Sequence, residues 1–344
     1  MGGNALKNCF TRRYQKDEYN DLSKEVINIL KKSENILNIN IPFSYRNKES
    51  FGDMDIVISF NKNFDIGNYI KKSFNPKQIV SNGDCISFEY KEFQIDLIKS
   101  NEHYYTNLEY LNWNDLGNII GRVAHKFGLK YGHKGLAYII KNESGYNPRE
   151  LMLTENILDI LDFLGFDYDR YTFGFDNVSD IYDFVIESKF FNPIIFSFEE
   201  MNHINRVRNK KRITYKGFLE YINTKDLTNK TYFQYNSNKE IYLARINYYF
   251  PEAHIFDFIE NYKNDIEKKE FIKSKFNGDL VSQITGLSDK NLGEFITYFK
   301  NKFYIEHISS DIAFDDWILD KDIDNIKISI LNAFNASKLI NRKY

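Results

Sequence analysis

The period of apolar positions changes several times in the first hundred residues. Leu22, Val26, Ile27, Leu30 and Leu37 recur at helical spacing, which predicts a helix over 19–37, capped by Asn20 or Ser23. A short strand is expected in INIPFSY (39–45), a second in DMDIVISF (53–60), and a short helix in FDIGNYIKKSF. CISFEY and FQIDLI alternate with period two and are separated only by Lys91 and Glu92, the pattern of a tight hairpin. Residues 104–127 read as mostly helical, and the glycines of GLKYGHKGLAYII predict a small hairpin ending near 141. From about 150 the pattern turns helical, through TENILDILDFLGF, VSDIYDFVIESKFF, FEEMNHINRVRNKKR and YKGFLEYI to amphipathic stretches beyond 253. Asn147–Pro148 is the strongest boundary signal. The expected organisation is a helical segment at 1–37, an α+β domain at 38–148 and a helical domain at 149–344.

Composition narrows this picture in three ways. An apolar fraction of 42% with 27% charged residues fits a folded globular chain. No apolar run reaches membrane-spanning length and the first residues lack a signal peptide's apolar core, so an intracellular protein without membrane partners is expected. Gly2 suggests myristoylation, but Leu6 stands where that motif requires Ser or Thr. Cys9 and Cys85 are too few for a disulfide framework or a cysteine zinc site. A formal net charge of −2 excludes a globally basic nucleic-acid binder and leaves the question to local clusters.

The chemistry concentrates at Asp53 and Asp55. In a strand these two point to the same face while Met54 and Ile56 point to the core. Paired carboxylates repel unless a cation lies between them, and hard oxygen ligands suit Mg2+. Asp96, in FQIDLI, joins them if the two strands are neighbours. Three carboxylates of this kind can hold two ions about 4 Å apart for phosphoryl transfer. The preceding loop offers Ser44, Arg46, Lys48 and the backbone around Gly52 as phosphate donors.

SYRNKESFGDMDIVI followed by QIDLI resembles the DNA polymerase β (family X) branch of the nucleotidyltransferase superfamily. That family's pattern is Gly-Ser, a short basic loop, Gly-Asp-x-Asp on a strand and a third Asp on a later strand. The chain departs from it at Phe43, where the family has Gly, and in a loop one residue shorter. YYTNLEYLNWNDLGNIIGRVAHKFGLKYGHKGLAYII resembles the family's next segment. The resemblance implies Tyr110 at the sugar-facing position and Asp115, Asn118 and Arg122 facing the nucleotide and a template minor groove. Their spacing places these last three on one helical face.

The resemblance covers residues 38–141 and implies a metal-dependent transfer of a nucleoside monophosphate from an NTP or dNTP to the 3'-hydroxyl of a DNA or RNA acceptor. It implies two Mg2+ ions, with Mn2+ as an alternative, and no lyase domain in the residues before 38. The helical second half is closer to CCA-adding and poly(A)-adding enzymes, so template-independent RNA extension is the alternative, and a catalytically idle nucleic-acid-binding module a third reading.

Arg206, Arg208, Lys210, Lys211 and Arg212 form the densest basic cluster, suited either to a phosphate backbone or to a solvated helix end. Residues 284–296 resemble a helix-hairpin-helix or the Gly-Leu turn of CCA-adding enzymes, with an ordinary helical corner as the plainer reading. The six histidines show no ligand spacing, and no Walker loop, dinucleotide fingerprint or Gly-x-Ser-x-Gly elbow occurs. The acidic run Asp311, Asp315, Asp316, Asp320, Asp322 and Asp324 reads as a solvated face.

Overall fold

The computed structural model describes residues 5–141, 148–228, 230–308 and 312–340; Gly2, Asn147 and Asp311 lie outside them. Two compact units divide the chain, Met1–Ile255 and Phe256–Tyr344. That division differs from the expected one at 148/149, which falls just before a strand belonging to the first unit's sheets.

The first unit holds strands β1 (Tyr14–Gln15), β2 (Ile36–Asn40), β3 (Ser50–Phe51), β4 (Asp53–Phe60), β5 (Ile79–Asn82), β6 (Cys85–Tyr90), β7 (Phe93–Lys99), β8 (Leu129–Gly132), β9 (Gly135–Ile140) and β10 (Arg149–Thr154). Its helices are α1 (Lys16–Leu30), α2 (Ile66–Phe74), α3 (Tyr104–Leu111), α4 (Leu116–Lys126), α5 (Ile157–Phe163), α6 (Tyr168–Phe173), α7 (Val178–Glu187), α8 (His203–Asn209), α9 (Ile213–Thr224) and α10 (Leu243–Tyr249). Helix takes 53% of the chain and strand 15%, and every strand among the described residues ends by Thr154, so the chain is α+β.

A five-stranded mixed sheet in the order β2-β4-β7-β6-β5 forms the centre, with β4 and β7 parallel and the other pairs antiparallel. On one face Met54, Ile56, Ile58, Ile95, Leu97, Ile86 and Phe88 bury against Leu22, Val26 and Leu30 of α1 and Ile66, Ile70 and Phe74 of α2. The period-two pattern of β4, β6 and β7 and the period-four pattern of α1 thus meet in one core. Each fully buried branched or aromatic side chain there contributes about 1.5–3 kcal/mol.

Helix α1 starts earlier than expected. Gln15 caps it and Glu18 completes a capping box, displacing Asn20 and Ser23 from that role. The chain turns after Leu30, so Leu37 belongs to β2 and is 59% exposed. Its helical spacing from Leu30 is coincidental. Strand β2 ends at Asn40, before Pro42, whose missing N–H cannot join a ladder. The hairpin β6–β7 closes as expected, with Lys91 and Glu92 both at positive φ, the geometry of a type I′ turn.

A second sheet, β10-β9-β8, is antiparallel, and α4 packs on β8. Helices α3 and α4 approach so closely that a Cβ at Gly117 would fall 2.2 Å from the Tyr110 carbonyl oxygen, so only glycine fits there.

The second unit is helical: α11 (Ile255–Lys275), α12 (Gly278–Thr285), α13 (Asp289–Glu306), α14 (Phe314–Asp320) and α15 (Ile323–Ile340). Its core is largely aromatic, built on Phe276, Phe295, Phe299, Phe303 and Phe314 with Ile318, Ile326 and Ile330. Residues 284–296 form a helical corner in which Gly286 ends α12 in a left-handed conformation. In the acidic run, Asp316 pairs with Lys268 at 2.9 Å and Asp322 accepts a bond from the Asn325 N–H, which places these groups in local surface contacts.

Candidate active site

The parallel pairing of β4 and β7 sets Asp55 directly beside Asp96 and Asp53 beside Gln94. All four side chains therefore share the sheet face opposite the α1–α2 core, as the alternation of Asp53, Asp55 and Asp96 leads one to expect. Asp53 and Asp55 line a cleft of about 990 Å³, bounded by the 41–52 segment, the α3–α4 junction and the α8–α9 corner.

Asp55 lies on the cleft floor, walled by protein at its sides while its surface stays open to the cleft. Its carboxyl is pushed up to about 8, first by the loss of surrounding water and then by the charges of Asp53 and Asp96, against the opposing effect of Lys48 and Arg212. Asp96 is raised to about 6, chiefly by burial and also by Asp53, while hydrogen bonds from Ser87 and Gln94 pull the other way. Gln94 Nε2 donates to both Asp96 oxygens, at 3.0 and 2.9 Å. The Ala5 N–H donates to Gln94 Oε1 at 3.0 Å, which fixes the side-chain amide. Sequence reading missed Gln94, although its place two residues before Asp96 puts it on the same face.

Among the described residues, no three His, Cys, Asp or Glu side chains converge tightly enough to enclose an ion by themselves. The donor set nonetheless suits a hard divalent cation: carboxylates stand in register on adjacent strands, with Asp53 two residues before Asp55 on the same face. Asp53 and Asp55 would hold it, with Asp96, tethered by Gln94, at the edge of the set.

The loop residues separate into two groups. Ser44 and Lys48 line the cleft, Lys48 Nζ lies 3.4 Å from Ser44 Oγ, and its ammonium is destabilised by burial while Asp53 and Asp55 favour its charge. Gly52 also lines the cleft. Arg46 points elsewhere. Its guanidinium pairs with Asp176 at 2.7 Å and donates to the Phe173 carbonyl, while its N–H donates to the Phe175 carbonyl at 2.9 Å. The expected phosphate ligand is instead a pin between the loop and the segment after α6.

The helical stripe is corrected too. Asp115, Asn118 and Arg122 do share a face of α4, but the 195–212 segment covers much of it. Asp115 pairs with Arg212, Asn118 Nδ2 donates to Asn209 Oδ1 at 3.1 Å, and Arg122 donates to the carbonyls of Ile195 at 3.0 Å and Glu200 at 3.1 Å. Arg122 is only 5% exposed and donates to protein carbonyls, and it lines the groove that adjoins the cleft rather than the cleft itself. Asp115 and Asn118 still line the cleft, as does Tyr110, whose ring stands edge-on to Tyr131 and His133.

The basic cluster splits in the same way. Arg208, Lys211 and Arg212 line the carboxylate cleft, and Arg212 is close enough to Asp55 to lower its proton affinity. Arg206 donates to the Met201 carbonyl at 3.0 Å, and Lys210 lies over the Phe198 ring. The cations visible in the sequence as a surface patch are thus largely the opposite wall of the cleft that holds the acids. A second groove, of about 1260 Å³, adjoins this cleft and shares Tyr110, Asn118, His133 and Arg208 with it. No helix among the described residues is long and apolar enough to cross a membrane. Comparison with protein-family models and with curated proteins finds no match to this chain.

Proposed function

We propose that the chain is a divalent-metal-dependent nucleotidyltransferase with a polymerase β-like palm, transferring a nucleoside monophosphate from a nucleoside triphosphate to a hydroxyl acceptor with release of pyrophosphate. The observation that carries this reading is the facing of acids and cations across one cleft: Asp53 and Asp55 line it with Lys48, Arg208, Lys211 and Arg212, and Asp96 stands beside Asp55 on the paired strand. A triphosphate with its divalent ions has the complementary charge distribution.

Bound Mg2+ supplies charge neutralisation at the α-phosphate and a more acidic attacking hydroxyl. Asp53 and Asp55 hold the ions, and Asp96, oriented by Gln94, positions the acceptor hydroxyl. Ser44, Lys48, Arg208, Lys211 and Arg212 hold the triphosphate and meet the charge that develops on pyrophosphate. Arg46 has no part in this scheme. The attacking oxygen forms a bond to the α-phosphorus as the bond to the β-phosphate bridging oxygen breaks, so alignment and preorganised charge carry the catalysis.

Within this chemistry we favour transfer without a template, with Arg122 lining the adjoining groove while its guanidinium donates to the Ile195 and Glu200 carbonyls. The adjoining groove, with Asn107, Asn202, Asn205, Lys99 and Lys134 on its walls, offers an acceptor neutral and cationic donors beside the carboxylates. The test is to incubate the protein with labelled nucleotide and, separately, single-stranded RNA, a primed template and tRNA. Extension of unpaired 3' ends is expected; growth only opposite a template would overturn the untemplated reading, and no extension of any acceptor would overturn nucleic acid as the acceptor.

A further inference from the structure

Phe43 stands where the resembled family carries glycine, and its side chain is 62% exposed at the mouth of the carboxylate cleft. A single exposed aromatic residue is ordinary, but this one is mounted. Its ring stacks on Trp113, centroids 5.4 Å apart and planes 26° apart. The Phe43 N–H donates to Asn112 Oδ1 at 2.8 Å, and the Trp113 N–H donates to the Phe43 carbonyl at 2.7 Å. Trp113 itself is 6% exposed and holds φ at 62°, a left-handed backbone that a bulky residue adopts only when its surroundings impose it. The edge contact with Phe175 and the close approach to Gly174, where a Cβ would lie 2.4 Å from the indole, impose it here. The outer aromatic face is therefore held rigid toward the cleft.

The α8–α9 corner adds Ile204 at 76% and Ile213 at 68% exposure, with Val207, to the lining of the same cleft, among Arg208, Lys211 and Arg212. Exposed apolar surface interleaved with cations fits a ligand that is flat and apolar at one end and anionic at the other. We propose that Phe43, backed by Trp113, is the platform on which the base of the nucleoside triphosphate stacks, with the aliphatic side chains of α8 and α9 bordering the same slot. This rests on the nucleotidyltransferase reading and adds to it the determinant of base affinity. A ring face offers no hydrogen bonds to a base edge, so the platform ranks bases by stacking area, purines above pyrimidines.

The test is isothermal titration of the full chain, in Mg2+, with ATP, UTP and inorganic tripolyphosphate, for the wild type, Phe43→Ala and Phe43→Tyr. Wild type should bind ATP more tightly than UTP and both more tightly than tripolyphosphate. Phe43→Ala should lose about 5- to 100-fold in ATP affinity, with tripolyphosphate unchanged, and Phe43→Tyr should retain ATP binding. Unchanged ATP affinity in Phe43→Ala, or an equal loss for ATP and tripolyphosphate, would overturn the platform while leaving the nucleotide site standing. A wild type that binds neither nucleotide nor tripolyphosphate would overturn both readings together.

Discussion

Replacing Asp55 with Asn removes a carboxyl whose ionisation is opposed by loss of surrounding water and by Asp53 and Asp96, and should make the metal-free protein more stable. In the folded chain Asp55 takes up protons until about pH 8, against an ordinary value of 3.8. Between these values the folded state binds more protons than the unfolded one, so the Asp55 contribution to stability falls as pH rises through the window. At pH 7 the full displacement corresponds to roughly 4 kcal/mol, at about 1.4 kcal/mol per pH unit. The carboxylate is open to cleft water, and screening reduces this to on the order of 1–2 kcal/mol. For a unit of this size each kcal/mol moves the melting temperature by about 2–4 °C. Asp55→Asn should therefore melt roughly 2–8 °C above the wild type at pH 7 to 8 in chelator, with the difference vanishing toward pH 4. Adding Mg2+ should raise the wild type and leave the variant nearly unmoved. Melting followed by circular dichroism across this pH range, with and without Mg2+, measures all of it. A variant that melts at or below the wild-type temperature at pH 8 in chelator would refute the reasoning.

Arg122→Ala should cost about 1–3 kcal/mol in urea unfolding, because it strips the buried Ile195 carbonyl of its donor and the Glu200 carbonyl of a part-buried one; unchanged stability with lost activity would restore a substrate role. Arg46→Ala, which breaks an exposed pair with Asp176, should change nucleotide affinity by less than about twofold, and a large loss in a binding titration would return Arg46 to the triphosphate. Lys211→Ala combined with Arg208→Ala should weaken nucleotide binding by tenfold or more and flatten its dependence on salt. Equal affinities across a salt series would remove the α8–α9 corner from the site.

What the sequence disclosed followed from local periodicity. Strand β4 and the β6–β7 hairpin were legible because alternation over six to eight residues leaves little ambiguity, and with them came the common face of Asp53, Asp55 and Asp96. Strands β5 and β10 escaped notice: IVSN is only four residues long, and RELMLT has a composition equally suited to helix. The one-sided stripe of Asp115, Asn118 and Arg122 was also legible, but a stripe does not reveal its neighbour. Only the folded chain shows that residues 195–212, some eighty positions later, cover that face and carry Arg208, Lys211 and Arg212 to the acids. Arg46 shows the same limit, since its partner Asp176 is distant in the chain.

The most direct measurement of nucleotidyl transfer follows the two ends of the triphosphate separately, with ATP labelled at the α-phosphate in one reaction and at the γ-phosphate in another, together with an oligonucleotide acceptor. The α label should become covalently attached to the acceptor's 3' end and the γ label should leave as pyrophosphate, both only with Mg2+ or Mn2+ and neither in Asp55→Asn. Release of the γ label as orthophosphate, or transfer that persists in chelator or in Asp55→Asn, would contradict the account.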